Sequence, residues 1–172
     1  RWSTRPSAGS QYAALRPHLP TVPAPVLAGV LKLALHWLSP SRVGATLVVH
    51  AESRPRPLDG PTDGLDLEHS IVAPDLTVTA RHHYPALFAA LSQTDLAVLV
   101  DARGTVRRVG VGLRSSTAAE NAVDDHRGMR HRSAARYTFD HPDAVAVVVS
   151  EDGPVTVFHG GRPLSECAAT AA

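Results

Sequence analysis

One cysteine, Cys167, in a chain of 172 residues leaves no partner for an internal disulfide and no cysteine set for a zinc site. The longest apolar run, Val26 to Leu38, is interrupted by Lys32 and His36. It is too short and too polar to span a bilayer. No charged start with an apolar stretch and a small-residue cleavage site marks a secretory leader. These absences give the expectation of a cytoplasmic protein with no membrane contact by this domain.

Excess charge is also missing. Seventeen Lys and Arg against sixteen Asp and Glu leave a formal net charge of +1. Such a chain has no global field for polyanions, so any anion binding must come from a local cluster. Aromatic residues make up only 5%, and no basic stripe interleaves with them, so no nucleic-acid contacts are expected of this domain. Trp2, Trp37, Tyr84 and Phe88 read as packing residues. No Gly-x-Ser-x-Gly elbow serves a hydrolase, and no P-loop lysine is present. His82, His83, His126 and His131 lack the two-by-two spacing of a structural zinc set.

The length suits one domain with a real core. Residues 1–25 are rich in Pro, Ser and Arg and read as a loose lead-in, with a short helix near Tyr12 to Arg16. Apolar residues from Val26 to Leu38 fall at helical spacing, between Pro25 at the start and Ser39-Pro40 at the end. Gly44 to His50 reads as a strand. Glu52 to Gly64 is a Pro- and Gly-rich loop, and Leu65 to Val78 carries a short strand. Tyr84 to Ser92 is a helix. Asp95 to Asp101 and Thr105 to Val111 form a hairpin through Ala102-Arg103-Gly104. Thr117 to Tyr137 holds two helical stretches broken near Gly128. Ala144 to Ser150 is apolar enough for a strand buried on both faces. Val155 to His159 reads as the final strand, ended by Gly160-Gly161, with residues 165–172 a tail. Interleaved strands and helices predict an α/β domain over residues 26–164, a twisted mixed sheet flanked by helices.

Three local features carry chemistry. In Gly128-Met129-Arg130-His131-Arg132-Ser133, three cationic or protonatable side chains open a helix. Helix-start N–H groups and forked guanidinium donors suit phosphate oxygens. A solvated basic face would have the same composition. Asp95 stands at a strand start, where a carboxylate can hold a divalent metal or accept a hydroxyl proton, or simply begin a turn. Ser150-Glu151-Asp152 follows the apolar strand and offers a phosphate hydroxyl and metal carboxylates, while Glu-Asp-Gly-Pro is also good turn chemistry.

In order along the chain, Gly44-Ala45-Thr46-Leu47-Val48-Val49, a Leu-Asp-Gly loop, Asp95-Leu96-Ala97, Gly110 to Leu113, Arg130-His131-Arg132 with Ser133-Ala134-Ala135, and the strand ending in Ser150-Glu151 resemble the diadenylate cyclase (DAC) family. The resemblance spans about residues 26–164. It implies a domain that binds ATP and joins two ATP molecules into cyclic di-AMP, a bacterial second messenger, with release of two pyrophosphates. It also implies a second copy of the domain placed face to face, and Mg²⁺ or Mn²⁺. By position, Asp95 would serve the metal and the 3′-hydroxyl. Arg130, His131 and Arg132 would be catalytic phosphate holders, Ser150 would touch phosphate, and Glu151 would assist the metal. Leu96, Ala97, Gly110, Gly112, Leu113 and Met129 would line the nucleotide. Three positions depart from the family pattern: Leu96 stands where it has glycine, Met129 where it often has threonine, and Thr94 where many members have histidine. An alternative function is therefore a domain that senses ATP or a cyclic dinucleotide without cyclising it.

Overall fold

Six consecutive buried residues, Ala144–Val149, have no polar face to offer water, and the chain runs them through the sheet interior as β6. The computed structural model describes residues 8–51, 64–123 and 128–167. The expected loop from Glu52 lies outside the described residues up to position 63, and so does His126.

Beside β6 lies β1, Ala45–His50. Its neighbours are β6, antiparallel, and β4, Ala97–Val100, parallel. The short strands β2, Leu65–Asp66, and β3, Ile71–Val72, pair with β5, Val106–Leu113. With β7, Val155–His159, and β8, Arg162–Cys167, the sheet has eight strands in the order β2-β5-β4-β1-β6-β7-β8, with β3 also on β5. One parallel pair among antiparallel neighbours makes the sheet mixed, as expected.

Alternation along the strands sends side chains to two cores. Leu47, Val49, Val98, Val100, Val145, Val147 and Val149 face a large core. It is covered by α1, Ala8–Leu15, α2, Ala24–Leu33, and α3, Tyr84–Ser92. Val48, Leu99, Ala146 and Val148 face a smaller core under α5, Met129–Asp140. A short α4, Thr117–Ala122, precedes α5 and is capped by Ser116, whose hydroxyl accepts the Ala119 N–H at 3.1 Å. Pro25 sits in the first turn of α2, where its missing N–H has no intrahelical partner to lose. α2 continues as a π-helical stretch, Ala34–Leu38. Ser39 then donates its hydroxyl to the Gly153 carbonyl, tying this helix end to the β6–β7 turn.

Two expectations change. Gly160-Gly161 does not end the sheet. Both glycines have positive φ, 57° and 80°, which a tight hairpin turn requires, and β8 returns beside β7. Pro163 and the polar residues of β8 hide it from a period-two reading, and an edge strand tolerates them. Nor is residue 8 onward a loose lead-in. Leu15, Leu19 and Val22 are fully buried in the large core. The Arg16 guanidinium donates to the carbonyls of Leu19, at 3.1 Å, and Val22, closing the turn beyond α1. Leu19→Ala is expected to lower the unfolding free energy by about 2–4 kcal/mol in a urea titration. A loss below about 0.5 kcal/mol would mean this segment adds nothing to the core.

Candidate functional site

Sheet pairing decides which chain segments meet. Ala45 of β1 lies opposite Val149 of β6, and Thr46 lies beside Ala97 of β4. The amino ends of β1 and β4 therefore share one sheet end with the carboxyl end of β6. Gly44, Asp95-Leu96 and Ser150-Glu151-Asp152 all emerge there. The start of α5 reaches the same end.

Arg130 joins these segments. Its Nη1 donates to Glu151 Oε1 at 2.9 Å, and its Nη2 donates to Asp95 Oδ1 at 3.0 Å. The Arg130 side chain is 23% exposed, whereas those of Asp95 and Glu151 are 94% and 69% exposed. A recessed guanidinium thus holds two carboxylates that lean into solvent. Its Nε is buried with no hydrogen-bond partner among the described residues. The guanidinium lies against Gly44: a Cβ there would stand 2.5 Å from Nη1 and 2.8 Å from Cζ. A side chain at position 44 would push aside the Arg130 guanidinium and also the Glu151 Cγ, 2.9 Å away. Ion pairs this exposed contribute roughly 0–1 kcal/mol each, so the fold does not depend on them.

Around this pair of contacts opens a cleft of about 550 Å³. Thr46, Ala97, Val111, Leu113, Ser133 and Ser150 contribute to its walls. Leu96, 42% exposed, and Met129, 75% exposed, stand at it as open apolar side chains.

Residues 32–163 match the family described as DAC, the DisA bacterial checkpoint controller nucleotide-binding domain. The chain belongs to the DAC family. No curated protein matches the chain. Among solved structures, a hypothetical membrane spanning protein from Bacillus cereus is similar at 22% identity and TM-score 0.54, covering 86% of this chain and 73% of that one. A double mutant of DacA from Staphylococcus aureus is similar at 19% identity and TM-score 0.52, covering 85% of this chain and 87% of that one. These likenesses show the fold, and the fold is the mixed α/β sheet expected.

Not every residue that the DAC resemblance singled out reaches the cleft. Asp95, Leu96, Ala97, Leu113, Met129, Arg130, His131, Ser150 and Glu151 line it. His131 also turns toward β7: its Nε2 lies 3.3 Å from Thr156 Oγ1, and its ring meets Phe158 edge-on at 5.7 Å. Arg132 lies instead in an adjoining hollow of about 470 Å³ with Arg114, Ser115, Glu120 and Arg136. Each helical residue is rotated by about 100° from the last, and at Arg132 that rotation carries the side chain off the cleft and into the hollow. Gly110 and Gly112 are not among the lining residues. Gly110 has φ +81° and lies under His69, and a Cβ at Gly112 would stand 2.9 Å from Asp66 Cβ. They admit β2 and the chain beside it to β5. Thr94 accepts the Leu96 N–H at 3.3 Å and so shapes the entry to β4.

Sequence reasoning missed Gly44, Thr46, Val111 and Ser133 as site residues, whereas Asp152, named beside Glu151 as a possible metal carboxylate, does line the cleft. Ser133 carried a signal, since it lies one helical turn from Arg130. Gly44 carried none, because its role is to leave space for a distant side chain. At the hollow's edge, Arg114 Nη2 donates to Asp66 Oδ2 at 2.8 Å, and this bond holds the Asp66 carboxyl below its ordinary pKa.

Gly44→Ala is expected to leave the circular dichroism of the domain unchanged while expelling the Arg130 guanidinium. A crystal structure of that variant should show Arg130 out of hydrogen-bonding range of Asp95. An undisturbed Arg130 would refute the space argument.

Proposed function

We propose that this DAC-family domain binds ATP in the cleft around Arg130. With a second copy placed face to face, it condenses two ATP molecules into cyclic di-AMP and two pyrophosphates. The observation that carries the reading is the single guanidinium shared by Asp95 and Glu151 above Gly44. Phosphate oxygens can exchange with carboxylate oxygens on such a fork, because both accept the same paired donors. Nucleotide entry would then replace weak, exposed ion pairs and free both carboxylates for chemistry. Val111, Leu113 and Leu96 supply an apolar wall suited to a purine.

The reaction needs each 3′-oxygen to bond to the α-phosphorus of the other nucleotide. The bond from that phosphorus to the bridging oxygen breaks, and pyrophosphate leaves with the electron pair. Asp95 is the base assigned to the hydroxyl proton, and Arg130 stabilises charge on the phosphoryl group. A bound Mg²⁺ or Mn²⁺ would neutralise phosphate charge and help pyrophosphate depart. The donor set suits such an ion: two exposed carboxylates converge closely enough to share one guanidinium. No group of three metal-ligating side chains occurs among the described residues, so phosphate oxygens and water would complete the coordination, as is usual for Mg²⁺. One domain offers one such cleft, and ring closure requires two nucleotides, hence the second copy.

Leu96 and Met129 support a second reading, a domain that holds a nucleotide without cyclising it. Both place exposed apolar side chains at the cleft where the family pattern has glycine and often threonine.

Purified protein incubated with ATP and Mn²⁺ or Mg²⁺ is expected to yield cyclic di-AMP by mass spectrometry. Asp95→Asn should reduce product at least about a hundredfold while ATP binding persists. ATP binding without product in the unaltered protein would establish the sensor instead, and absence of both would remove the cleft from nucleotide chemistry.

A further inference from the structure

Gly44 and Glu151, which flank the Arg130 guanidinium, are both placed by one buried residue, Ser39. The π-helical stretch after α2 gives the Ser39 N–H a partner five residues back, the Ala34 carbonyl at 2.9 Å. Such wide turns recur at functional sites. The helix then stops abruptly. The Val43 N–H donates to the Leu38 carbonyl at 3.0 Å, and the Arg42 N–H donates to the Ser39 carbonyl at 3.1 Å. These nested bonds surround Arg42, whose φ is +55°. Together they form a Schellman stop, which usually takes glycine at the left-handed position. Arg42 is the one non-glycine residue with positive φ among the described residues, so the stop is held by its surroundings rather than by local preference. Gly44 emerges two residues later.

Glu151 lies past the end of the β1–β6 ladder, whose last pair is Ala45 with Val149. Its turn is closed by the Gly153 N–H, which donates to the Ser150 carbonyl at 2.8 Å, and by the Ser150 N–H, which donates to the Pro154 carbonyl at 2.9 Å. Glu151 and Asp152 form the exposed tip, and Gly153 is buried behind them at φ +98°. The Gly153 carbonyl accepts the Ser39 hydroxyl in a buried bond. Ser39 is itself 7% exposed. Its backbone thus sets the approach to Gly44, and its side chain anchors the turn that carries Glu151.

With its side chain 69% exposed, Glu151 has little packing to fix it. Arg130 and the anchored turn are what hold it. Once phosphate oxygens take the Arg130 guanidinium, the turn is the remaining constraint on the Glu151 carboxylate. A carboxylate already kept in place meets an incoming cation with less freedom left to lose.

We propose that Ser39 is a positioning residue: through the Gly153 carbonyl it keeps Glu151 placed for the divalent cation that accompanies the nucleotide. The inference rests on the nucleotide reading of the cleft and adds the residue that prepares its cation-binding carboxylate. Ser39 does not line the cleft, so its influence on nucleotide binding runs through Glu151 and shows only when the cation is present.

Calorimetric titration of ATP into the unaltered protein and Ser39→Ala, each with Mn²⁺ and with a chelator, tests this. ATP affinity in Mn²⁺ is expected to fall about tenfold in the variant and, in chelator, to stay within about twofold. Ser39→Cys keeps the side-chain shape with a much weaker donor and should give the same cation-specific loss, which covers an alanine variant that does not fold. Equal losses with and without Mn²⁺, or no loss, overturn the inference and leave the nucleotide reading intact. A crystal structure of either folded variant supplies a readout that needs no nucleotide. It is expected to show Glu151 outside hydrogen-bonding range of Arg130 with Asp95 still on it, and an unmoved Glu151 overturns the positioning role. If the unaltered protein binds no ATP, the nucleotide reading fails and takes the cation role with it, whereas a displaced Glu151 still establishes Ser39 as the anchor of its turn.

Discussion

Arg130 works only because four chain segments arrive together. Its guanidinium needs the amino end of β4 for Asp95, the carboxyl end of β6 for Glu151, the start of α5 for its own backbone and the bare backbone of Gly44 for room. The antiparallel β1–β6 pairing beside the parallel β1–β4 pairing makes that meeting geometrically necessary. An all-parallel sheet would have put Glu151 at the far end from Asp95. Ligands of open parallel sheets gather beyond the carboxyl ends of the strands. Here the cleft lies off the amino ends of the parallel pair, where β5 and β6 both present their carboxyl ends.

The apolar cores and the charged contacts of the cleft occupy different parts of the molecule. Two apolar cores on opposite faces of the sheet, with Tyr137, Phe158 and a set of leucines fully buried, supply the folding free energy. The charged contacts of the cleft are exposed and individually weak. That division lets the site exchange partners without unfolding. Ser39, donating to Gly153, steadies the turn that presents Glu151, so the large core reaches the site through one hydrogen bond.

Much of this was legible beforehand. β6 is so apolar that its burial on both faces follows directly, and Gly128 marks the break between α4 and α5. The order of Asp95, Arg130 and Ser150-Glu151 pointed to one family, and the chain belongs to it. The parts that were not legible share a cause: they depend on what lies across space. Gly44 matters because Arg130 rests on it. Arg132 leaves the cleft because a helix rotates it away, to the side where Arg136 follows one turn on. In the amino-terminal segment a short helix near Tyr12 was legible, but the Pro and Ser around it hide the burial of Leu15 at the end of α1 and of Leu19 and Val22 beyond it. The family match begins at residue 32, inside α2, yet these three residues fill the same core.

The central claim is that Arg130, between Asp95 and Glu151, receives the phosphates of a nucleotide. A crystal structure of the domain with a non-hydrolysable ATP analogue and Mg²⁺ tests it most directly. The account requires phosphate oxygens on the Arg130 guanidinium, with Asp95 released from it. A nucleotide bound elsewhere, with the contacts of Arg130 to Asp95 and Glu151 unchanged, would contradict it.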